Sequence, residues 1–300
     1  MASLPPRGGG TEGEGADDCS PYVENMKPTH RESLRHIALL LPALTIFSAF
    51  WLLPMARLLS VGASGEMGIS AYWAVVTDPR YFSSLVSTIV LSATVTFATI
   101  IIAGITGMFL QRNRFFGRSF LLATLTFPLA FPGVVVGFMV ILLVGRQGVV
   151  GSVTEWLFGE KLVLAYSMAG LFLGYLYFSI PRVILTIMAA AEKLDGALEE
   201  AARSLGASPW QVIRDVMIPG LKPALISSGA ICFATSMGAF GTAFTLATKI
   251  NVLPITIYSE FTNYANFSLA AALSIVLGLI TWVALALARS MAGSTVAAAA

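Results

Sequence analysis

Charge is what this chain has least of. Of its 300 residues, only 11% are Asp, Glu, Lys or Arg, against about 25% in a soluble domain. So few polar groups cannot cover a globular surface in water. That excludes a water-soluble enzyme and a nucleic-acid-binding module, so no nucleic-acid partner is expected. The net charge of +2 names no partner either. Cysteine is nearly absent, with two residues in all. Cys19 lies in a polar stretch and Cys232 in an apolar one, so no disulfide framework is expected. Histidine is as rare, and both His30 and His36 precede the first apolar run. Neither reaches a buried metal site or a nucleophile deeper in the chain, so no metal and no catalytic residue are expected. No stretch reads G-x-x-x-x-G-K-[ST], so the chain holds no phosphate loop and no cofactor of its own.

What the sequence holds in excess is apolar length. Hydrophobic residues make up 56%, and mean hydropathy is +0.80. A helix needs roughly 20 apolar residues to cross the hydrocarbon core. Six runs fit: Ile37–Ala56, Ser83–Leu110, Ser119–Val144, Leu162–Pro181, Ala224–Thr248 and Phe261–Ala288. None shows the alternation of a membrane barrel, and only helices then satisfy every backbone group within lipid. The expectation is an all-α polytopic protein with six transmembrane helices, held in membrane lipid. The middles of these runs carry no Asp, Glu, Lys or Arg. Ion-coupled pumps need ionisable groups there, which counts against a secondary transporter, the main rival class. A membrane scaffold with no transport of its own is a second rival.

Basic residues set the orientation. Arg7, Lys27, Arg31, Arg35, Arg112, Arg114 and Arg118 fall on one side, with Arg182, Lys193, Arg203, Arg214, Lys222 and Arg289. Only Arg57, Arg80, Arg146, Lys161 and Lys249 fall on the other. The excess predicts a multi-pass chain of a bacterial inner membrane with both termini cytoplasmic. Residues 1–35 are rich in Gly, Pro and acids and read as a disordered cytoplasmic tail. Residues 36–290 read as the six-span domain, and residues 291–300 as a short cytoplasmic tail. Segments 60–82 and 145–161 read as outer loops.

The fourth connection is long and patterned. Across 192–223, Leu194, Leu198, Ala201 and Leu205 share one helical face. Asp195 is a candidate N-cap and Gly206 a candidate stop. Ser208-Pro209 restarts a helix, with Val212, Ile213, Val216 and Met217 as its apolar stripe, and Pro219 and Pro223 close the segment. Two short amphipathic helices therefore stand on the cytoplasmic side and need a partner surface, either the chain's own helix ends or another protein.

Within this loop, Glu200-Ala201-Ala202, three residues, Gly206, nine residues and then Val216-Met217-Ile218-Pro219 resemble the EAA motif of ABC-importer permeases. Val216 and Ile218 replace the motif's Ile and Leu. The resemblance spans roughly 37–289 and implies the type I ABC-importer permease fold. It implies that Glu200, Ala201, Ala202, Gly206, Ala207 and Pro219 form or flank a coupling helix seated on a separate ATPase. It also implies the partners: two ATP-binding subunits that hold ATP–Mg, a second permease chain in a heterodimer, and an extracytoplasmic solute-binding protein. Glu200 can meet a basic group of the ATPase, or Arg203 at i+3 can satisfy it locally.

The translocation path should be lined by small and polar positions of the later spans. Candidates are Thr235, Ser236, Gly238 and Gly241, beside Pro128 and Pro132, which should kink or break the third span. Thr242, Tyr175 and Tyr177 are further candidates. Gly133-x-x-x-Gly137 and Gly170-x-x-x-Gly174 read as packing contacts. Glu192-Lys193-Leu194-Asp195-Gly196 and Ser236–Gly241 resemble polyamine permeases, and Leu253–Tyr258 fits the wider cluster of sulfate, ferric-ion and phosphonate permeases. Spermidine or putrescine is the first expectation for the solute. Phosphonate, ferric ion and sulfate are the alternatives.

Overall fold

The computed structural model describes residues 30–65, 68–246 and 250–292, with side chains described from Leu39 onward. Cys19, most of the expected N-terminal tail and residues 293–300 lie outside the described residues. Among the described residues there is no strand. The helices are α1 His30–Phe47, α2 Leu53–Ala63, α3 Ser70–Thr77, α4 Pro79–Arg112, α5 Arg118–Thr126, α6 Gly133–Val144 and α7 Val149–Phe158. They continue with α8 Met168–Glu192, α9 Gly196–Ser204, α10 Pro209–Val212, α11 Ile218–Met237, α12 Phe240–Leu246, α13 Leu253–Thr262 and α14 Phe267–Ala292.

The chain divides into two compact units after Pro54. In the first, α1 begins at His30, so the last residues of the expected tail are helical. A π-helical turn, Ser48–Leu52, follows it. Phe47 stacks on Trp51 with ring centres 5.0 Å apart, and the apolar side chains from Leu39 onward are exposed. The second unit is built around α4, which packs against α8 and α11. Asp78 starts α4 by accepting the Arg80 N–H at 2.9 Å, with Pro79 in the first turn. Val95, Ala103, Ile184 and Ile187 are buried along its contact with α8. α12 packs against α6 and α8. A Cβ at Gly137 would meet Thr245 Cβ at 2.7 Å, and one at Gly174 would meet Thr242 Cγ2 at 2.7 Å. Glycine is what lets these backbones approach.

Six segments are long and apolar enough to cross a membrane: Leu39–Ala63, Pro79–Arg112, Gly133–Phe158, Met168–Glu192, Pro209–Met237 and Phe267–Ala292. Their number agrees with the sequence, but several ends do not. The third run divides at a 3₁₀ turn, Phe127–Ala130, and a bend before Gly133. That break falls where Pro128 and Pro132 place it, since proline removes a donor and blocks the helix. Segment 145–161 contains helix α7 rather than only a loop. The fourth span does not end at Pro181, which is buried inside α8. Neighbouring helices tolerate such a proline within a membrane helix. Likewise Pro219 and Pro223 do not close the loop before the fifth span: Pro219 sits in the first turn of α11 and Pro223 inside it. The run 224–248 is itself broken between α11 and α12, and Leu253–Tyr258 is helical within α13.

Candidate functional site

The loop between the fourth and fifth spans is built from local capping. Asp195 starts α9 by accepting the Ala197 N–H at 2.9 Å. The helix ends in a Schellman turn, with Gly206 N–H donating to Arg203 O at 2.9 Å and Ala207 N–H donating to Ala202 O at 3.1 Å. Gly206 has φ +84°, the left-handed conformation in which glycine carries no Cβ penalty. Ser208 then opens α10 by a reciprocal box: its N–H donates to Gln211 Oε1 at 2.7 Å, and the Gln211 N–H donates back to Ser208 Oγ at 3.4 Å. From Pro209 a helical path runs through a π turn, Ile213–Met217, into α11 without a loop. The second helix of the loop is therefore continuous with the fifth apolar span.

The stripes of the two helices meet different fates. Val212 and Met217 are buried within the chain. Leu194 packs close to Gly220, where a Cβ would come within 2.6 Å of it. Leu198, Leu205 and Trp210 remain uncovered, at 58%, 89% and 64% exposure. The carboxylates also divide. Glu199, not Glu200, forms an ion pair, and its partner is Arg112 at the end of α4. The local Glu200–Arg203 pair is absent among the described residues, and the Glu200 carboxylate faces outward without an ion pair. The loop is thus anchored to α4 and α11 while leaving three large apolar side chains and an unpaired acid exposed.

The structure gathers some of the path candidates and separates others. Pro128, Thr235, Gly241 and Thr242 border one cavity of about 280 Å³ at the breaks between α5 and α6 and between α11 and α12. Pro132 caps α6 outside that lining, and the fully buried Ser236 is not in it either. Gly238 lines a different cavity with Phe240 and Tyr258. Tyr175 is a packing residue whose hydroxyl donates to Ala239 O at 2.7 Å. Tyr177 is surface-exposed and lines neither cavity.

Two charged residues escaped the sequence reading. Arg182 lines the cavity of Pro128 and Thr235. It lies inside α8 because the helix continues past Pro181. The apolar run Val183–Met188 was the available signal. Glu260 reads as an outer-loop acid but is buried on α13 at 3% exposure. The Tyr81 hydroxyl donates to it at 3.0 Å, and Arg80 lies 3.5 Å away while also stacking on Tyr81 and Tyr264. No short-range pattern in the sequence marks that cluster.

The described residues thus hold interrupted apolar helices around a cavity and, separately, a two-helix loop with uncovered apolar side chains. The comparisons give the family. Residues 99–294 match the model of the binding-protein-dependent transport system inner membrane component. The chain belongs to that family, the permease subunits of ABC importers, and is a multi-pass inner-membrane protein. It is 32% identical over 234 residues to the sulfate transport system permease protein CysT of Escherichia coli, covering 75% of this chain and 81% of that one. It is 33% identical over 211 residues to the molybdenum transport system permease protein ModB of the same organism, covering 67% and 89%. A chain from the crystal structure of a bacterial alginate ABC transporter, in complex with an alginate pentasaccharide-bound periplasmic protein, shares the fold. The TM-score is 0.74 at 18% identity, over 87% of this chain and 94% of that one. The all-α, six-span type I importer architecture is therefore that of the molecule.

Proposed function

We propose that this chain forms one half of the translocation path of an ATP-driven importer for a small oxyanion of the sulfate and molybdate type. An extracytoplasmic binding protein delivers the solute. Two separate ATP-binding subunits hold ATP–Mg and seat on the 192–223 loop, and this chain carries no ATPase site of its own. A second, related permease completes the path as a heterodimer. Both termini and the loop face the cytoplasm. The observation that carries the reading is the exposure of Leu198, Leu205 and Trp210, with Glu200 unpaired, on a loop otherwise fixed to α4 and α11. An apolar surface left uncovered on a pre-ordered element marks a docking site.

The oxyanion class draws its support from the relatives named for sulfate and molybdenum transport. It replaces polyamine, the sequence's first expectation, and keeps sulfate and phosphonate from among the alternatives. ATP binding closes the ATPase pair, the loop follows it, and the continuous helix Pro209–Met237 tilts the fifth span. The test is uptake into proteoliposomes holding both permeases, the ATPase and the binding protein. ATP-dependent accumulation of labelled sulfate or molybdate is expected. Accumulation driven by an ion gradient without ATP, or of spermidine alone, would overturn the reading.

A further inference from the structure

We infer that Arg182 and the cavity beside it form an anion-holding station within the permease itself, one that receives the solute as a tetrahedral dianion on its way through the membrane. The inference rests on the importer reading above and adds a site to it. Arg182 lies ten residues before Glu192, the last residue of α8. At 1.5 Å per residue that is about 15 Å along the helix from its end, inside the fourth span Met168–Glu192, where the side chain is exposed on the isolated chain. Ionisable residues at such depth are rare and face a protein interior or a water-filled cavity. Arg182 does the second, lining the cavity with Pro128, Gly133, Thr235, Gly241 and Thr242.

Among the described residues no acid pairs with it. The ion pairs of the described residues involve Arg80, Arg112, Lys161 and Arg214. No acidic residue lines the cavity. The Thr235 and Thr242 hydroxyls spend their protons on backbone carbonyls, at 2.9 Å to Ile231 O and 2.9 Å to Gly133 O. The charged donor left for a ligand is the guanidinium. Its planar fork matches two oxygens of a tetrahedral oxyanion, whereas a polyamine would be repelled there. Two more hydroxyls, Ser179 and Ser236, are buried without a hydrogen-bond partner. Ser179 stands one turn before Arg182 on α8, and Ser236 adjoins Thr235. They are polar groups in reserve where helices must shift for a solute to pass. The cavity also lies at both helix breaks, so the segments around it are those least tied to a rigid cylinder.

The test uses the complete reconstituted transporter with labelled sulfate at subsaturating concentration and three variants: Arg182→Lys, Arg182→Gln and Arg182→Glu. Co-purification of the ATPase checks that each assembles. A charge-assisted hydrogen bond lost from the path predicts uptake lowered about 10- to 100-fold in Arg182→Gln, further in Arg182→Glu, and least in Arg182→Lys. A purely structural role would not grade with charge. If Arg182→Gln fails to assemble, Arg182→Lys decides: the loss of the fork predicts a drop of about threefold or more, and wild-type uptake overturns the site. Equal sulfate uptake by wild type and Arg182→Gln overturns the site alone. A wild-type transporter that moves spermidine and not sulfate overturns the oxyanion reading and the site with it.

Discussion

Replacing Gly206 separates conformation from contact in the coupling turn. The residue has φ +84°, and a Cβ built there meets nothing within 4 Å. A side chain therefore costs only backbone energy, about 1–2 kcal/mol for an ordinary L-residue in the left-handed region. Asparagine visits that region readily, whereas a β-branched residue there is a true outlier. One to two kcal/mol changes the population of the turn by about 5- to 30-fold. ATP-driven uptake should thus fall in the order Gly, Asn, Ala, Val, with Gly206→Val at least about fivefold below wild type. The assay is initial uptake per permease in proteoliposomes, with ATPase recovery measured in parallel. If Gly206→Asn is as impaired as Gly206→Val, the position needs empty space for a partner and not a positive φ. Wild-type uptake in Gly206→Val would remove this turn from the coupling path.

Two further perturbations follow from the ion pairs. The Arg112–Glu199 pair is only partly exposed, so Arg112→Glu, which sets two carboxylates side by side, should lower both stability and uptake by loosening α9 from α4. The swap Arg112→Glu with Glu199→Arg should restore much of both, and strictly additive effects in a double-mutant cycle would refute the strut. On the other cluster, Tyr81→Phe removes a hydrogen bond to the buried Glu260 carboxylate, a loss of about 1.5–3 kcal/mol. A clear drop in melting temperature in detergent is expected, made smaller when Glu260→Gln is already present. An unchanged midpoint for Tyr81→Phe would contradict the assigned bond.

What was legible in the sequence was mostly short-range. Asp195, Gly206 and Ser208-Pro209 specify their caps within three residues, and each acts as its local chemistry dictates. Pro128 and Pro132 break the third span for the same reason. Span ends were less legible, because proline carries two meanings. At Pro181, Pro219 and Pro223 the helix continues, since packing outweighs the lost donor, and Arg182 thereby falls inside the helix of the fourth span. Long-range pairings left no trace at all. Glu199 finds Arg112, and Glu260 finds Tyr81, 179 positions away. Of the proposed path positions, Pro128, Thr235 and Gly241, with the further candidate Thr242, converge on one cavity, whereas Pro132 and Gly238 at the same breaks do not. Ser236 does not, because its orientation depends on how α11 packs.

The most direct measurement is affinity purification of the tagged chain from its native membranes after mild crosslinking, beside a Leu205→Glu variant. Leu205 is 89% exposed, so the substitution leaves the fold intact and places a charge in the middle of the proposed docking patch. An ATP-binding subunit with a phosphate loop and a second six-span chain should accompany the wild type. The variant should keep the second permease and lose the ATPase. Equal recovery of the ATPase from both would show that the patch is not its seat, and its absence from both would contradict the coupling account.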